Sequence, residues 1–249
     1  MRISLGSVLG LALVLWPMAH TQAAELQVLA GAGIAGPLKE ITAQFESTSG
    51  HKLVIRYGTT PELIKMAASG PFDLGVVPVD VFKDGPTRAQ FVPAPTVDVA
   101  RVGIGVAVRS GAAKPDISTP EAFKQTLLKA QGVASIPASA TGTLLTGIYE
   151  RLGIGEEMRT KTRAQPGPAQ MIEAVVKGEA ELAVFLTNVL TDPRLDMVGP
   201  LPAEIQRELV YQTGLSASSK EPDAAKAFIA HLMSPASAAV IKSKGMNPG

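Results

Sequence analysis

The sequence contains no cysteine. A disulfide, a thiolate nucleophile and a cysteine zinc site are therefore excluded, and stability must come from packing alone. Histidine is scarce: His20, His51 and His231 stand far apart, without metal-ligand spacing. Aromatic residues make up 4% of the chain and charged residues 18%, the two signs nearly balanced and neither forming a run. That balance speaks against a nucleic-acid surface or a polybasic membrane patch. There is no G-x-S-x-G nucleophile elbow. The N-terminal apolar run, Leu9–Leu15, is broken by Pro17 and His20, well short of the ~20 residues of a membrane span. No metal or cofactor is expected, and any chemistry would rest on hydroxyls, arginines or lone carboxylates.

What the sequence has is a strong aliphatic fraction with many turn formers. Of 249 residues, 46% are hydrophobic, 24 are glycine and 19 are proline. This suits an α/β protein with tight strand-to-helix turns, long enough for two lobes. The N-terminus has the outline of a secretory signal: Arg2, the short run Leu9–Leu15, then the small residues Ala23 and Ala24. The expected boundaries are a signal peptide at 1–24, cut after Ala23 or Ala24, and a mature chain free in the periplasm. Losing Arg2 leaves 22 basic and 22 acidic residues, a net charge of zero.

Strand and helix patterns alternate along the mature chain. Leu26–Ala30, Lys52–Tyr57 and Phe72–Val77 read as strands. Gly36–Glu46 and Thr60–Ser69 read as helices, the first with Leu38, Ile41 and Phe45 on one side. After a β-rich run at Arg101–Val108 the pattern restarts: a helix capped by Thr119 with Pro120 in its first turn, a strand at Gly132–Ile136, helices at Thr141–Leu152 and Pro168–Lys177, and a strand at Glu181–Phe185. A second β-rich run, Leu209–Ser216, precedes helices at Pro222–Met233 and Pro235–Lys244. Such alternation predicts parallel βαβ units. Two blocks separated by two β crossings predict two lobes, residues 25–105 with 214–249 and residues 106–213, with a ligand held outside the strands' carboxyl ends.

The segments at those ends are glycine- or hydroxyl-rich turns that open helices. Helix N-termini carry free N–H groups and a partial positive charge, and bind anions without a charged side chain. The candidate donors are Gly33, Ile34, Thr59 and Thr60 in the first lobe, and Ser139, Ala140, Thr141 and Gly142 in the second, with Thr187 and Asn188 near the mouth. Ordinary capping explains any one of these turns equally well; their repetition in both lobes carries the binding reading. Arg101 and Arg109, in or beside the first crossing, are candidates to clamp a carboxylate, and Tyr211 in the second crossing could face the cleft. Gly31, Gly33 and Gly36 also spell the dinucleotide pattern G-x-G-x-x-G, but Arg56-Tyr57 stands where its acidic ribose partner should end the second strand.

The stretches VLAGAGIAGPLKEITAQF, YGTTPEL, SGPFDLGVVP and VVKGEAELAVF, with the closing FIAHLMSPASAAVIKSKGM, resemble the periplasmic molybdate-binding proteins of ABC importers over essentially the whole mature chain. The resemblance implies a two-lobed type II periplasmic binding fold, a small anionic ligand, hinge closure, an ABC permease as partner and a monomeric chain. It also carries departures. The family's first-loop Ser falls at Gly33, its second-loop Ser at Thr60 or Thr59, its late backbone-donor loop near Pro168, and its Tyr after the late strand at Leu186. The stretches DVARVGIGVAVRSGAAKPDISTPEAFKQTLL and VGPLPAEIQ resemble a divergent branch that includes aconitate isomerase. This implies an alternative function, cis–trans isomerisation of a tricarboxylate. That branch often has Ser-Glu where this chain has Thr187-Asn188, and Asn cannot act as a base.

Overall fold

The computed structural model describes residues 23–249. The expected signal segment, except Ala23 and Ala24, lies outside the described residues. Strand β1 (Glu25–Gly31) leads through a short 3-10 turn (Ala32–Ile34) into α1 (Ala35–Ser49), followed by β2 (Lys52–Gly58), α2 (Thr60–Ser69) and β3 (Leu74–Pro78). β1 lies between β2 and β3 and is parallel to both, with Gly31 opposite Gly58 and Val28 opposite Leu74. Its side chains alternate between faces as the pleat requires. Leu26, Val28 and Ala30 join the core under α1 with Leu38, Ile41 and Phe45, while Leu29 joins Leu63 and Ala67 of α2 on the other face. α1 ends at Gly50, whose φ of 76° suits a glycine that closes the last helical turn.

Two short helices, α3 (Val79–Lys83) and α4 (Gly85–Arg88), bring the chain to β4 (Val97–Arg109). The second lobe then runs α5 (Pro120–Lys129), β5 (Val133–Ser135), α6 (Ala140–Arg151), α7 (Gly155–Lys161), β6 (Thr162–Ala164), α8 (Pro168–Val176), β7 (Leu182–Leu186) and β8 (Leu195–Pro200). β9 (Glu208–Leu215), α9 (Pro222–Leu232), α10 (Pro235–Ser243) and β10 (Asn247–Pro248) return to the first lobe. β4 is shared. Its first half pairs with β9, Val102 opposite Leu209, and its second half with β7, Ile104 opposite Leu186. The chain therefore passes between lobes at Gly103–Ile104. In the second lobe β5 is parallel to β6 and β7. Ile104, Val106 and Val108 pack there under Phe123, Leu127 and Ile148 of α5 and α6.

One sequence expectation is corrected here. The run at 209–216 is not a second crossing. β9 pairs with β3, Leu74 opposite Leu215, as well as with β4, so residues 208–213 lie in the sheet of the first lobe. The second link is the segment 201–207. A β-rich run looks the same whichever sheet it joins, because its partners are distant in sequence. The short elements α3, α4, α7, β6, β8 and β10 carry no usable periodicity and emerge only in the structure.

His51, which is buried, and His231, which is partly buried, both lie against the core aromatic Phe45. Phe45 packs against Phe228 in a tilted pair at 5.0 Å between centroids, stacks on the ring of His51 at 5.9 Å and lies 5.5 Å from that of His231. His51 Nδ1 also accepts the N–H of Ala24 at 3.0 Å. Among the described residues no cluster of His, Asp and Glu could hold a metal ion, and no single helix is long and apolar enough to cross a membrane.

Candidate anion-binding cleft

The carboxyl ends of β1, β2 and β3 in one lobe, and of β5 and β7 in the other, meet at a narrow cleft with a cavity volume of ≈30 Å³. That is room for about two waters. Gly31, Gly58 and Pro78 mark the first set of strand ends, Ile136 and Leu186 the second. A larger cavity of ≈630 Å³ lies at the far end of the second lobe, where β4 finishes and β7 begins. In open α/β sheets ligands bind at strand carboxyl ends, so the small cleft is the candidate site.

Four helix starts line it, three of which can donate N–H groups. In the first lobe Ala32 and Gly33 form the turn into α1. At α2 the two adjacent threonines divide their roles. The N–H and the hydroxyl of Thr59 both donate to the Glu62 carboxylate, at 2.7 and 2.9 Å. The hydroxyl of Thr60 is buried and has no partner. Thr60, at the first position of α2, therefore keeps both a hydroxyl and a first-turn N–H for a ligand. In the second lobe Ser139 caps α6: its hydroxyl donates to the Ile136 carbonyl at 2.6 Å and accepts from the Gly142 N–H at 3.0 Å. The hydroxyl is committed to the cap, which leaves the first-turn N–H groups of Ala140 and Thr141. Pro168 opens α8 at the cleft but has no N–H to give.

No Lys, Arg, His, Asp or Glu is among the lining residues. An anion would be held by dipoles alone, each helix N-terminus contributing about half a positive charge. The rest of the lining includes hydrocarbon: Ile136, Phe185, Leu186 and Leu209 are all at least 96% buried.

Tyr211 of β9 completes the lining and is 1% exposed. Its ring fills the space beside Gly31, where a Cβ would come within 2.6 Å of Cε1. Its hydroxyl lies against Gly33, where a Cβ would strike both the hydroxyl and, at 2.6 Å, Leu186 Cδ1. Burial pushes the phenol far above its ordinary pKa, so the hydroxyl stays protonated. This accounts for the first two glycines of the dinucleotide-like pattern, which make room for a tyrosine. The third, Gly36, serves no such purpose: a Cβ there would meet nothing within 4 Å.

Of the residues singled out from sequence, the structure brings Gly33, Thr59, Thr60, Ser139, Ala140 and Thr141 to the cleft. The others lie elsewhere. Ile34 packs in the core. Gly142 lines a neighbouring cavity beside Tyr149, its N–H held by Ser139. The N–H of Thr187 donates to the Gly103 carbonyl at 3.0 Å, which ties it to the link between lobes. Asn188 reaches across to the Gly33 carbonyl at 2.8 Å and acts between lobes, outside the lining. Arg101 is not among the lining residues of the cleft; it pairs with Asp98. Arg109 lines the distant large cavity with Asp116 and Lys129. Both arginines sit on β4, and sequence alone does not say which way the strand turns them. Sequence reasoning also misses Gln206 on the second link. Its side-chain amide donates to the Ile104 carbonyl at 2.8 Å and accepts the Ile104 N–H at 2.9 Å.

Two α/β lobes joined by two links, with helix N-termini facing each other across the gap, make a clamp for a small solute: the fold is that of the type II periplasmic binding proteins. The chain belongs to the family described as bacterial extracellular solute-binding protein, whose model matches residues 26–247. It is similar to an aconitate isomerase from Pseudomonas sp, with 34% identity covering 90% of this chain and 87% of that protein. It is also similar to the molybdate-binding protein ModA of Azotobacter vinelandii, with 28% identity covering 90% of each. Among solved structures, the Azotobacter vinelandii periplasmic molybdate-binding protein superposes with a TM-score of 0.74 at 18% identity, covering 90% of this chain and 99% of that one.

Proposed function

We infer that this chain is a periplasmic solute-binding protein, exported through its N-terminal signal, which captures a small anion between its lobes and hands it to an ABC permease. The observation that carries the reading is the meeting of three helix starts, at Ala32–Gly33, Thr60 and Ala140–Thr141, on one cleft without a charged side chain. Buried N–H groups and hydroxyls without acceptors are stabilised by an anion more than by any neutral solute of that size. The family membership and the molybdate-binding relative support the same reading. Binding is expected from a single chain.

A second reading, isomerisation of an aconitate-like carboxylate, is favoured by the 34% identity to an aconitate isomerase. Moving a proton along a carbon chain requires a base within hydrogen-bond reach. The cleft offers no carboxylate, imidazole or amine, and its phenol is held protonated. This favours capture over turnover.

A thermal-shift panel on the signal-free protein tests the proposal, using molybdate, tungstate, sulfate, phosphate, citrate and both aconitates. A ligand at about 100 times its Kd adds ~2.7 kcal/mol, several degrees at this size. A shift with any of these anions supports capture, and no shift with all of them sinks it. Incubating the protein with trans-aconitate and assaying for the cis isomer separates carrier from enzyme.

A further inference from the structure

Resting on the reading that the cleft holds a small anion, we propose that Tyr211 is its specificity-determining donor and that the ligand class it selects is an organic carboxylate. The carboxylate oxygens would take the helix N-termini and the tyrosine hydroxyl, and the hydrocarbon would lie on Ile136, Phe185, Leu186 and Leu209.

Three features of the cleft lead to this assignment. The first is steric. Tyr211 Oη and Leu186 Cδ1 together occupy the volume that any side chain at position 33 would need. The first turn can therefore offer only its backbone, and the hydroxyl at that corner comes from β9 instead. The second is compositional. The free donors, Thr60, Ala140 and Thr141, share the lining with four buried hydrocarbon side chains, Ile136, Phe185, Leu186 and Leu209. A tetrahedral oxyanion carries acceptors in every direction, so some of its oxygens would meet hydrocarbon without a partner. A carboxylate has both oxygens at one end and carbon at the other, which matches a lining of this kind. The third is chemical. Burial keeps the Tyr211 phenol protonated, so it donates to a carboxylate and repels nothing.

Isothermal titration calorimetry on the wild type, Tyr211→Phe and Thr60→Val tests the proposal. One ligand set is acetate, succinate and cis- and trans-aconitate; the other is molybdate, tungstate and sulfate. The phenylalanine keeps the ring beside Gly31 and removes only the hydroxyl, so the fold is retained, and the melting temperature of the empty variant checks this. The expected result is that at least one carboxylate binds more tightly than every oxyanion, and that Tyr211→Phe weakens it tenfold or more. Gly33→Ala should weaken the same carboxylate by displacing the hydroxyl, and should do so less in the Tyr211→Phe background. If oxyanions bind more tightly and Tyr211→Phe changes nothing while Thr60→Val still weakens them, the carboxylate assignment is overturned and the anion cleft stands. If carboxylates bind but ignore Tyr211→Phe, the role given to Tyr211 is wrong. If neither set binds, the cleft itself is misread and the proposal falls with it.

Discussion

Asn188, on the turn after β7, donates its side-chain N–H to the carbonyl of Gly33 at 2.8 Å. The two residues belong to different lobes, so this bond exists only while the lobes are together. The Asn188 Oδ1 is buried without a partner, which makes the contact a modest latch. A neutral hydrogen bond of this kind is worth about 0.5–1.5 kcal/mol net.

Asn188→Ala should therefore open the empty protein and speed ligand release up to about tenfold. Small-angle scattering of the empty variant should give a larger radius of gyration than wild type. Unchanged scattering together with an unchanged dissociation rate would remove the latch. Asn188→Asp should weaken any anion further, because it brings a negative charge close to the cleft mouth.

Gln206 braces the passage between lobes by pairing with both backbone groups of Ile104, a residue with no exposure at all. Gln206→Ala leaves the Ile104 N–H buried and without that acceptor, at a cost of about 1–3 kcal/mol. For a chain of this length that lowers Tm by about 2–4 °C per kcal/mol. Differential scanning calorimetry measures it directly, and a Tm within one degree or so of wild type would mean water replaces the side chain.

At Thr60 stability and binding should separate. Its hydroxyl is buried and unpartnered in the empty protein. Thr60→Val keeps the shape and removes an unsatisfied polar atom, so Tm should stay level or rise slightly. Ligand affinity should fall about tenfold or more, the loss of one hydrogen bond to a charged group. A valine variant that binds as tightly as wild type would take Thr60 out of the site.

Glu46 should govern part of the acid limb of stability. Its carboxylate accepts the Leu53 N–H at 2.8 Å, and this bond holds its pKa below the usual carboxylate value, with a smaller contribution from Lys52. A depressed folded-state pKa means that the stabilisation is present above the unfolded value, about 4.3 for Glu, and is lost as pH falls through the folded one. Glu46→Gln should therefore be less stable than wild type near neutrality, with the gap closing toward pH 3. Chemical denaturation across pH 3–7 checks this; a gap independent of pH would mean the bond matters only as a neutral contact.

How much of this is legible in the sequence depends on range. The bounds of α2, Thr60–Ser69, can be read directly, as can the Thr119–Pro120 start of α5, because capping and helical spacing act within one or two turns. The donors at Thr60 and Ala140–Thr141 are found for the same reason: a turn that starts a helix after a strand is a local pattern. The choice between Thr59 and Thr60 also turns on a local pattern, the capping box Thr59-x-x-Glu62, which the sequence reading of the turns leaves unused.

By itself, the sequence determined the parallel βα units, the two-block layout and a cleft lined with helix N-termini. Each of these follows from short-range periodicity and turn chemistry. The tertiary structure alone decided that β9 joins the first lobe, that Arg101 and Arg109 lie outside the cleft lining, and that Tyr211 stands against Gly31 and Gly33. Strand pairing and the face a strand residue presents depend on partners far along the chain, and a glycine shows what it makes room for only once its neighbour is in position.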